Sequence, residues 1–129
     1  MLTDVDLRAL DRRVAEALGA RVIHPDHLYD LVITGYRGHF TLPPWMSTSY
    51  LTREDAWSGV PKFSTDIAVA WELVERLRNL GYAVAIYQHS SITACELVLL
   101  STGAGGESFS ALTVQEAICL AFLATVEAQ

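Results

Sequence analysis

The sequence is short of basic residues, and those it has are confined to one part of the chain. Lysine occurs once, at Lys62, and no lysine or arginine follows Arg78. The formal net charge is −6 at pH 7. Binding to a nucleic-acid duplex requires many Lys and Arg contacts on one surface. We therefore expect no duplex nucleic acid among the partners, although a small anion needing two or three donors remains compatible with the sequence.

Cysteines and long apolar runs are also scarce. The only two cysteines, Cys95 and Cys119, lie in apolar surroundings, as is typical of reduced core thiols in a cytoplasmic protein. No apolar run approaches the ~20 residues that span a bilayer, and the acidic N-terminus has no signal-peptide pattern. These absences predict a cytoplasmic protein that makes no membrane contact.

Signatures of catalysis and metal binding are missing as well. His24, Asp26 and His27 come nearest to a ligand cluster, but no two-pair spacing of zinc ligands accompanies them. An apolar setting disfavours the thiolate that a cysteine nucleophile needs. The glycine-rich segment 103–108 lacks the lysine and the spacing of a phosphate-binding P-loop, and we predict a flexible loop there. The sequence thus predicts no enzyme, no catalytic residue, no metal and no cofactor.

Apolar residues are what the sequence has in excess. They make up 51% of the 129 residues, enough to build the core of one domain over residues 1–129. The mean hydropathy of +0.27 is high for a small domain. This surplus predicts buried helices, an oligomer interface, or both, and a homo-oligomer is expected.

Three helices are predicted, over residues 3–18, 65–80 and 113–127. Thr3 and Asp6 have the spacing of a capping box for the first helix, which ends at Gly19. Its polar face is expected to be solvated and comprises Arg8, Asp11, Arg12, Arg13 and Glu16. The last helix is opened by a capping box at residues 113–116 and is apolar nearly all round, so it is expected to be buried on more than one side.

The central helix, 65–80, has the most explicit signals. Ser64 or Thr65 is expected to cap its first turn, and Asp66 to offset the helix dipole there. Gly81 suits the left-handed position after its end. Apolar residues spaced three and four apart are expected on the buried face: Ile67, Ala70, Trp71, Val74 and Leu77.

Strand signals complete the predicted fold. Residues 82–89 and 93–100 read as a hairpin around Ser90-Ser91, and their apolar content on both faces favours helices on both sides. A second hairpin is predicted for 28–34 with 38–42. The fold class predicted is α/β, a three-layer α-β-α sandwich with a mainly antiparallel sheet of about four strands and three helices.

The connection over residues 43–63 is long for a compact domain and rich in aromatic residues. These side chains either cover the edge of the core or form a stacking or interface surface. Free N–H groups at the start of the following helix can hold an anion, and an acid there suits a ribose hydroxyl or a base amine. The candidate ligand-binding residues are Trp45, Trp57, Lys62, Ser64, Thr65 and Asp66. Alternatively, Ser64-Thr65-Asp66 is only a helix cap.

Two segments resemble a known family. Residues 61–75, PKFSTDIAVAWELVE, look like the signature of the phage ABA-sandwich domain, and residues 112–121, LTVQEAICLA, resemble its final helix. The resemblance covers roughly residues 52–127. The chain departs from the family pattern at Val114, where proline is expected, and in the aromatic insert at 36–50. The resemblance implies a small three-layer domain from a phage or prophage, and the family carries no agreed biochemical activity.

From this resemblance we expect a non-enzymatic accessory binding protein in the host cell cytoplasm. The sharper hypothesis is an oligomeric anti-defence sponge that sequesters a nucleotide immune signal. The first alternative is a protein-binding inhibitor of a host factor that uses the aromatic loop 36–63. The second alternative is a small enzyme with an unrecognised site.

Overall fold

A computed structural model describes residues 3–24, 27–33, 49–99 and 105–127 and gives four helices and six strands in these ranges. The strands form two antiparallel three-stranded sheets, ordered β1-β2-β3 and β4-β5-β6. The predicted α/β sandwich class is confirmed, although the strands are more numerous than expected and divide into two sheets. The elements in chain order are α1 (Asp4–Ala17), β1 (Ala20–Ile23), β2 (Tyr29–Ile33), β3 (Ser49–Tyr50), α2 (Arg53–Ser58), α3 (Ile67–Asn79), β4 (Tyr82–His89), β5 (Ile92–Leu99), β6 (Gly105–Ala111) and α4 (Val114–Glu127).

The β4–β5 hairpin forms as predicted and carries one wall of the core. Its turn places Ser90 in the left-handed region, with φ of 52°. Alternate residues of β5 are buried, among them Cys95 and Leu97. Their partners across the ladder, Ile86 and Val84, share that face, since opposed residues of an antiparallel pair point the same way. The core therefore lies against one face of this sheet.

Two helices cover that face together. α4 contacts β5 and β6, α3 contacts β4, and the two helices also contact each other. They consequently lie side by side on the same face of the sheet, whereas the sequence favoured helices on both faces. Among the described elements, the opposite face has no helix packed across it.

α4 is the most buried element, and its burial is explained within the chain. Thr113 Oγ1 accepts a hydrogen bond from the Glu116 N–H at 3.2 Å, as expected for a capping residue. α4 contacts α1, α3, β5 and β6. Ile118, Cys119 and Phe122 are fully buried as a result. A second subunit is not needed to explain this apolar helix, and the homo-oligomer stays a prediction.

α1 has the predicted start and stop but a different polar face. Thr3 Oγ1 accepts from the Asp6 N–H at 3.2 Å, and Asp6 Oδ2 accepts from the Thr3 N–H at 3.0 Å. Gly19 follows the helix with φ of 90°. The prediction of a fully solvated polar face was wrong at Asp11, which is only 3% exposed. The segment before α3 covers this carboxylate.

α3 starts later than predicted and presents a different face to the core. Asp66 is its N-cap and accepts a hydrogen bond from the Ala68 N–H at 3.0 Å, so the assignment of the cap to Ser64 or Thr65 was wrong. The buried side chains are Ala70, Leu73, Val74 and Leu77. Ile67 and Trp71, predicted to be buried, are 46% and 48% exposed. Gly81 has φ of 99°, as its predicted position after the helix requires.

Three strand predictions are changed by the structure. The glycine-rich segment 103–108 was predicted to be a loop, yet β6 begins at Gly105 and pairs with β5. β1 was not predicted, and it is the partner of β2 along Ala20–Ile23. β2 also pairs with β3, while the partner expected for it, residues 38–42, lies outside the described residues.

Candidate functional site

The predicted ligand-binding residues do not converge on one open site. Trp45 lies outside the described residues. Trp57 is 9% exposed and Ser64 is 2% exposed, so both belong to the interior. Lys62, Thr65 and Asp66 are exposed at the surface. The segment 62–66 instead joins three helices, and each of its contacts has a structural role.

Ser64 is committed to α1. Its backbone N–H donates to Asp11 Oδ1 at 2.7 Å, and its hydroxyl donates to the Leu7 carbonyl at 3.2 Å. Burial raises the pKa of Asp11, against the lowering effect of the hydrogen bonds from Ser64 and the charge of Lys62. This group therefore holds the start of α3 against α1, and Ser64 has no hydrogen atom left for a ligand.

The rest of the segment makes similar connections. The carbonyl of Lys62 accepts from the backbone N–H groups of Thr65 and Asp66, which closes a turn. The carbonyl of Thr65 accepts from Gln115 Nε2 at 3.2 Å, linking the turn to α4. Since Asp66 caps α3, its carboxylate occupies the helix N-terminus where an anion would bind.

The aromatic residues of the predicted loop 36–63 are interior wherever they are described. Trp57 lies in the core with the Arg12 guanidinium 4.2 Å from its ring centroid. Phe63 is fully buried, and Tyr50 packs against the core. These side chains cover the edge of the core, as the structural interpretation of the connection expected. Residues 34–48 lie outside the described part of the chain.

A cleft between α3 and β4 is the more promising site. Its volume is about 670 Å³. Val74 on α3 and Val84 and Ile86 on β4 form apolar walls, and Tyr82 and Trp71 contribute aromatic surface. Gly81 makes this geometry possible, because its left-handed conformation turns the chain sharply from the helix into the strand beside it.

The polar groups of the cleft lie along α3. Arg78 Nη1 is 3.3 Å from Glu75 Oε1, and both side chains are more than half exposed. Asn79 completes the polar lining. Together with the half-exposed indole of Trp71, the cleft offers an aromatic platform, one cation and one amide. Such a surface can stack a planar group and bind an anion attached to it.

Sequence reasoning missed this site because it placed Trp71 on the buried face of α3. The true core face is centred on Leu73, Val74 and Leu77. Trp71 and Arg78 are seven positions apart and so fall on the same flank of the helix. An indole aligned with an arginine at that spacing was the available signal.

The two cysteine thiols are buried, and the His24 ring is stacked on an aromatic neighbour. Burial raises the pKa of the Cys95 thiol to about 11 and that of Cys119 still further, where Asp11 and Glu116 add to the effect. The His24 ring stacks on Tyr29 with centroids 4.1 Å apart. Among the described residues, no group of three or more His, Cys, Asp or Glu side chains could hold a metal ion.

These features define a class of protein: a small α/β sandwich whose exposed cleft lies between a helix and an edge strand. The sequence profile of the phage ABA sandwich domain matches residues 17–123, which is most of the chain. The protein therefore belongs to the phage ABA sandwich domain family, and this membership marks it as a phage accessory protein. Searches of curated proteins and of solved structures each gave no match. No helix within the described ranges is both long and apolar enough to span a membrane.

Proposed function

We propose that this protein is a non-catalytic accessory protein that binds a nucleotide in the cleft between α3 and β4. The observation that carries the proposal is the half-exposed indole of Trp71, which lines the cleft together with Arg78 and Tyr82. A base can stack on the indole while the guanidinium pairs with a phosphate. The volume of about 670 Å³ falls within the range of roughly 300–1,000 Å³ common for small-molecule sites.

The ion pair within the cleft does not prevent phosphate binding. Arg78 is paired with Glu75 at 3.3 Å, but both side chains are solvated. An exposed pair of this kind contributes about 0–1 kcal/mol, so a phosphate can replace the carboxylate as the partner of Arg78 at little cost. One arginine favours a ligand that presents one or two phosphates rather than a polyphosphate.

Binding without turnover would let a phage protein remove a nucleotide signal of bacterial defence. Family membership supports the phage context. Burial keeps both cysteine thiols protonated, which disfavours a cysteine nucleophile. Among the described residues lining the cleft, Glu75 is the only carboxylate, and it is paired with Arg78 rather than with a second acid.

Calorimetric titration with mononucleotides and cyclic dinucleotides tests the proposal. Trp71→Ala is expected to raise the dissociation constant roughly 5- to 150-fold, because stacking on an aromatic side chain contributes about 1–3 kcal/mol. Trp71→Phe should retain most of the affinity. Arg78→Gln should weaken the binding of nucleotides and leave the binding of the corresponding nucleosides unchanged.

Lys62→Gln is the matched control, since it removes an exposed cation of the segment first predicted to bind the ligand. Its dissociation constant should equal that of the wild type. The proposal fails if no nucleotide binds, or if Trp71→Ala binds as tightly as the wild type. Weakened binding by Lys62→Gln alone would move the site to residues 62–66, and release of a converted product would show an enzyme.

A further inference from the structure

We propose that the free edge of β4 is a dimer interface, at which β4 pairs antiparallel with β4 of a second copy about a two-fold axis. β4 is the terminal strand in the order β4-β5-β6, so among the described elements one of its edges has no neighbouring strand. An exposed edge presents a row of backbone N–H and C=O groups that pair readily with another strand. Pairing would join the two copies of this sheet into six strands. The inference does not depend on the ligand proposed above.

The sequence of β4 lacks the usual protection of an edge strand. Its eight residues, Tyr82–His89, include no Lys, Arg, Asp, Glu or Pro, and they pair with β5 in unbroken register. β6, at the other edge, differs on both points. It carries Glu107, and the β5–β6 register shifts between Leu97 and Val98. Charges and bulges discourage edge pairing, so β4 is the edge that remains open to it.

Exposed apolar side chains flank this edge on α3 and on β4. Among the described residues, five of the nine exposed large hydrophobic residues lie on α3, at its C-cap, or on the β4–β5 hairpin: Ile67, Trp71, Leu80, Tyr87 and Ile92. Trp71 lies on the helix that covers one face of β4, and Tyr87 lies on the opposite face of the strand. Exposed hydrophobic residues on adjacent elements are typical of an interaction surface, whereas isolated ones are ordinary. A partner at the β4 edge would cover side chains on both α3 and β4.

Charge favours a second copy of this chain as the partner. The protein carries a net charge of −6, so copies repel each other at most surfaces. At the proposed interface this repulsion is reduced, because β4 contributes no charge to it. Glu75 and Arg78 lie next to each other at its border. A two-fold axis places a surface against itself, so Arg78 of one copy can approach Glu75 of the other. Such a surface is self-complementary.

The available area suffices for a dimer. Eight residues of strand extend about 26 Å at ~3.3 Å per residue. The helix beside the strand widens the surface to roughly 20 Å, from a helix diameter of ~10 Å and a packing distance of ~10 Å. Each copy thus offers on the order of 500 Å², and the pair reaches the total of about 1,000 Å² that a biological interface requires.

Charge substitution on β4 tests the interface by sedimentation and light scattering. Ala83 and Tyr87 are exposed and lie on the same face of the strand. The wild type should be a dimer or an assembly of dimers. In the double variants Ala83→Lys/Tyr87→Lys and Ala83→Glu/Tyr87→Glu, like charges face each other across the interface. Each variant should therefore dissociate, with a dimer dissociation constant raised at least about tenfold. An equimolar mixture of the two variants should restore the dimer as a heterodimer.

The matched control is Ser108→Lys/Ser110→Lys, which places the same charges on exposed positions of β6 and should leave the dimer intact. A monomeric wild type overturns the proposal. So does a dimer that survives both β4 variants, or one that the β6 variant dissociates.

Disulfide cross-linking gives a second test if a charge variant fails to fold. Cys95 and Cys119 are both fully buried, so a cysteine introduced on β4 would be the exposed thiol. Ala83→Cys, Ala85→Cys and Tyr87→Cys are oxidised one at a time. Antiparallel pairing about a two-fold axis predicts that cross-linking is strongest nearest the axis and declines with distance from it along the strand. Equal or absent cross-linking at all three contradicts it.

Discussion

At the scale of single residues, Asp11 is a buried acid that joins α1 to the segment before α3. It lies on α1 and is 3% exposed, yet its carboxylate accepts the backbone N–H of Ser64 at 2.7 Å. Burial disfavours the charged form of the group, and its pKa rises above the ordinary value of 3.8. Asp11 therefore satisfies a buried donor at the cost of a desolvated charge.

Replacing Asp11 separates these two effects. Asp11→Ala leaves the Ser64 N–H without a partner and should lower the free energy of unfolding by about 1–3 kcal/mol. Asp11→Asn keeps an acceptor without the charge, so it should cost less than Asp11→Ala. Chemical denaturation of the three proteins measures both differences.

The pH dependence of the same variants has a definite sign. Because the pKa of Asp11 is raised on folding, the folded state binds its proton more tightly, and stability falls as pH rises from 3.8 through the raised value. The stability of Asp11→Asn relative to the wild type should thus be greater at neutral pH than near about pH 4. A difference that is constant with pH would contradict the account.

Two tryptophans show why residue type alone does not reveal a site. Trp57 was a candidate for ligand binding and is a core residue, whereas Trp71 was assigned to the core and is 48% exposed in a cleft. Each tryptophan lies in a helix whose sequence contains both polar and apolar residues. Which side of each helix meets other elements is decided by long-range packing, which residue spacing does not specify.

At the scale of elements, the start of α3 depends on Asp66. Asp66→Ala should lower the free energy of unfolding by about 1 kcal/mol, since loss of an N-cap costs roughly 0.5–2 kcal/mol. Thr65→Ala is the control and should change stability by only a few tenths of a kcal/mol, because Thr65 makes its hydrogen bonds to Lys62 and Gln115 through its backbone. Thermal or chemical unfolding measures both. If both variants lost the same free energy of unfolding, Thr65, one of the two caps predicted from the sequence, would share the capping role with Asp66.

The sequence predicted those elements that carry their own signals. Capping at Thr3, stops at Gly19 and Gly81, and the apolar runs of β4 and β5 are local signals, and the elements that they predict appear in the structure. β6 was not foreseen, because its glycines and serines have little intrinsic strand preference. It is a strand because β5 offers an edge for it to pair with. β1 likewise depends on pairing with β2.

At the scale of the whole molecule, α4 organises the packing. It contacts α1, α3, β5 and β6, and eight of its residues are buried. Its apolar sequence, which suggested a subunit interface, is satisfied internally. Among the described residues, five of the nine exposed large hydrophobic side chains lie on α3, at its C-cap or on the β4–β5 hairpin. Interaction with ligands or other chains is therefore expected at the side of the molecule that these elements form.

The two proposals concern neighbouring parts of this side. Val84 and Ile86 of β4 line the cleft, and the free edge of the same strand is the proposed dimer contact. A second copy at that edge would close the open side of the cleft and remove more of a bound ligand from water. Small-molecule sites commonly bury about 70–90% of their ligand, and added cover from a second copy would bring the cleft closer to that range.

Native mass spectrometry tests the central claim, nucleotide binding at Trp71, most directly. The wild type and Trp71→Ala are purified from bacterial lysates that are prepared in the same way and supplemented with nucleotides. The mass of each protein is measured before and after denaturation. We predict that the wild type carries an added mass of nucleotide size, that denaturation releases it unchanged, and that Trp71→Ala carries far less. A wild type with no added mass, or a Trp71→Ala variant carrying as much as the wild type, would contradict the account.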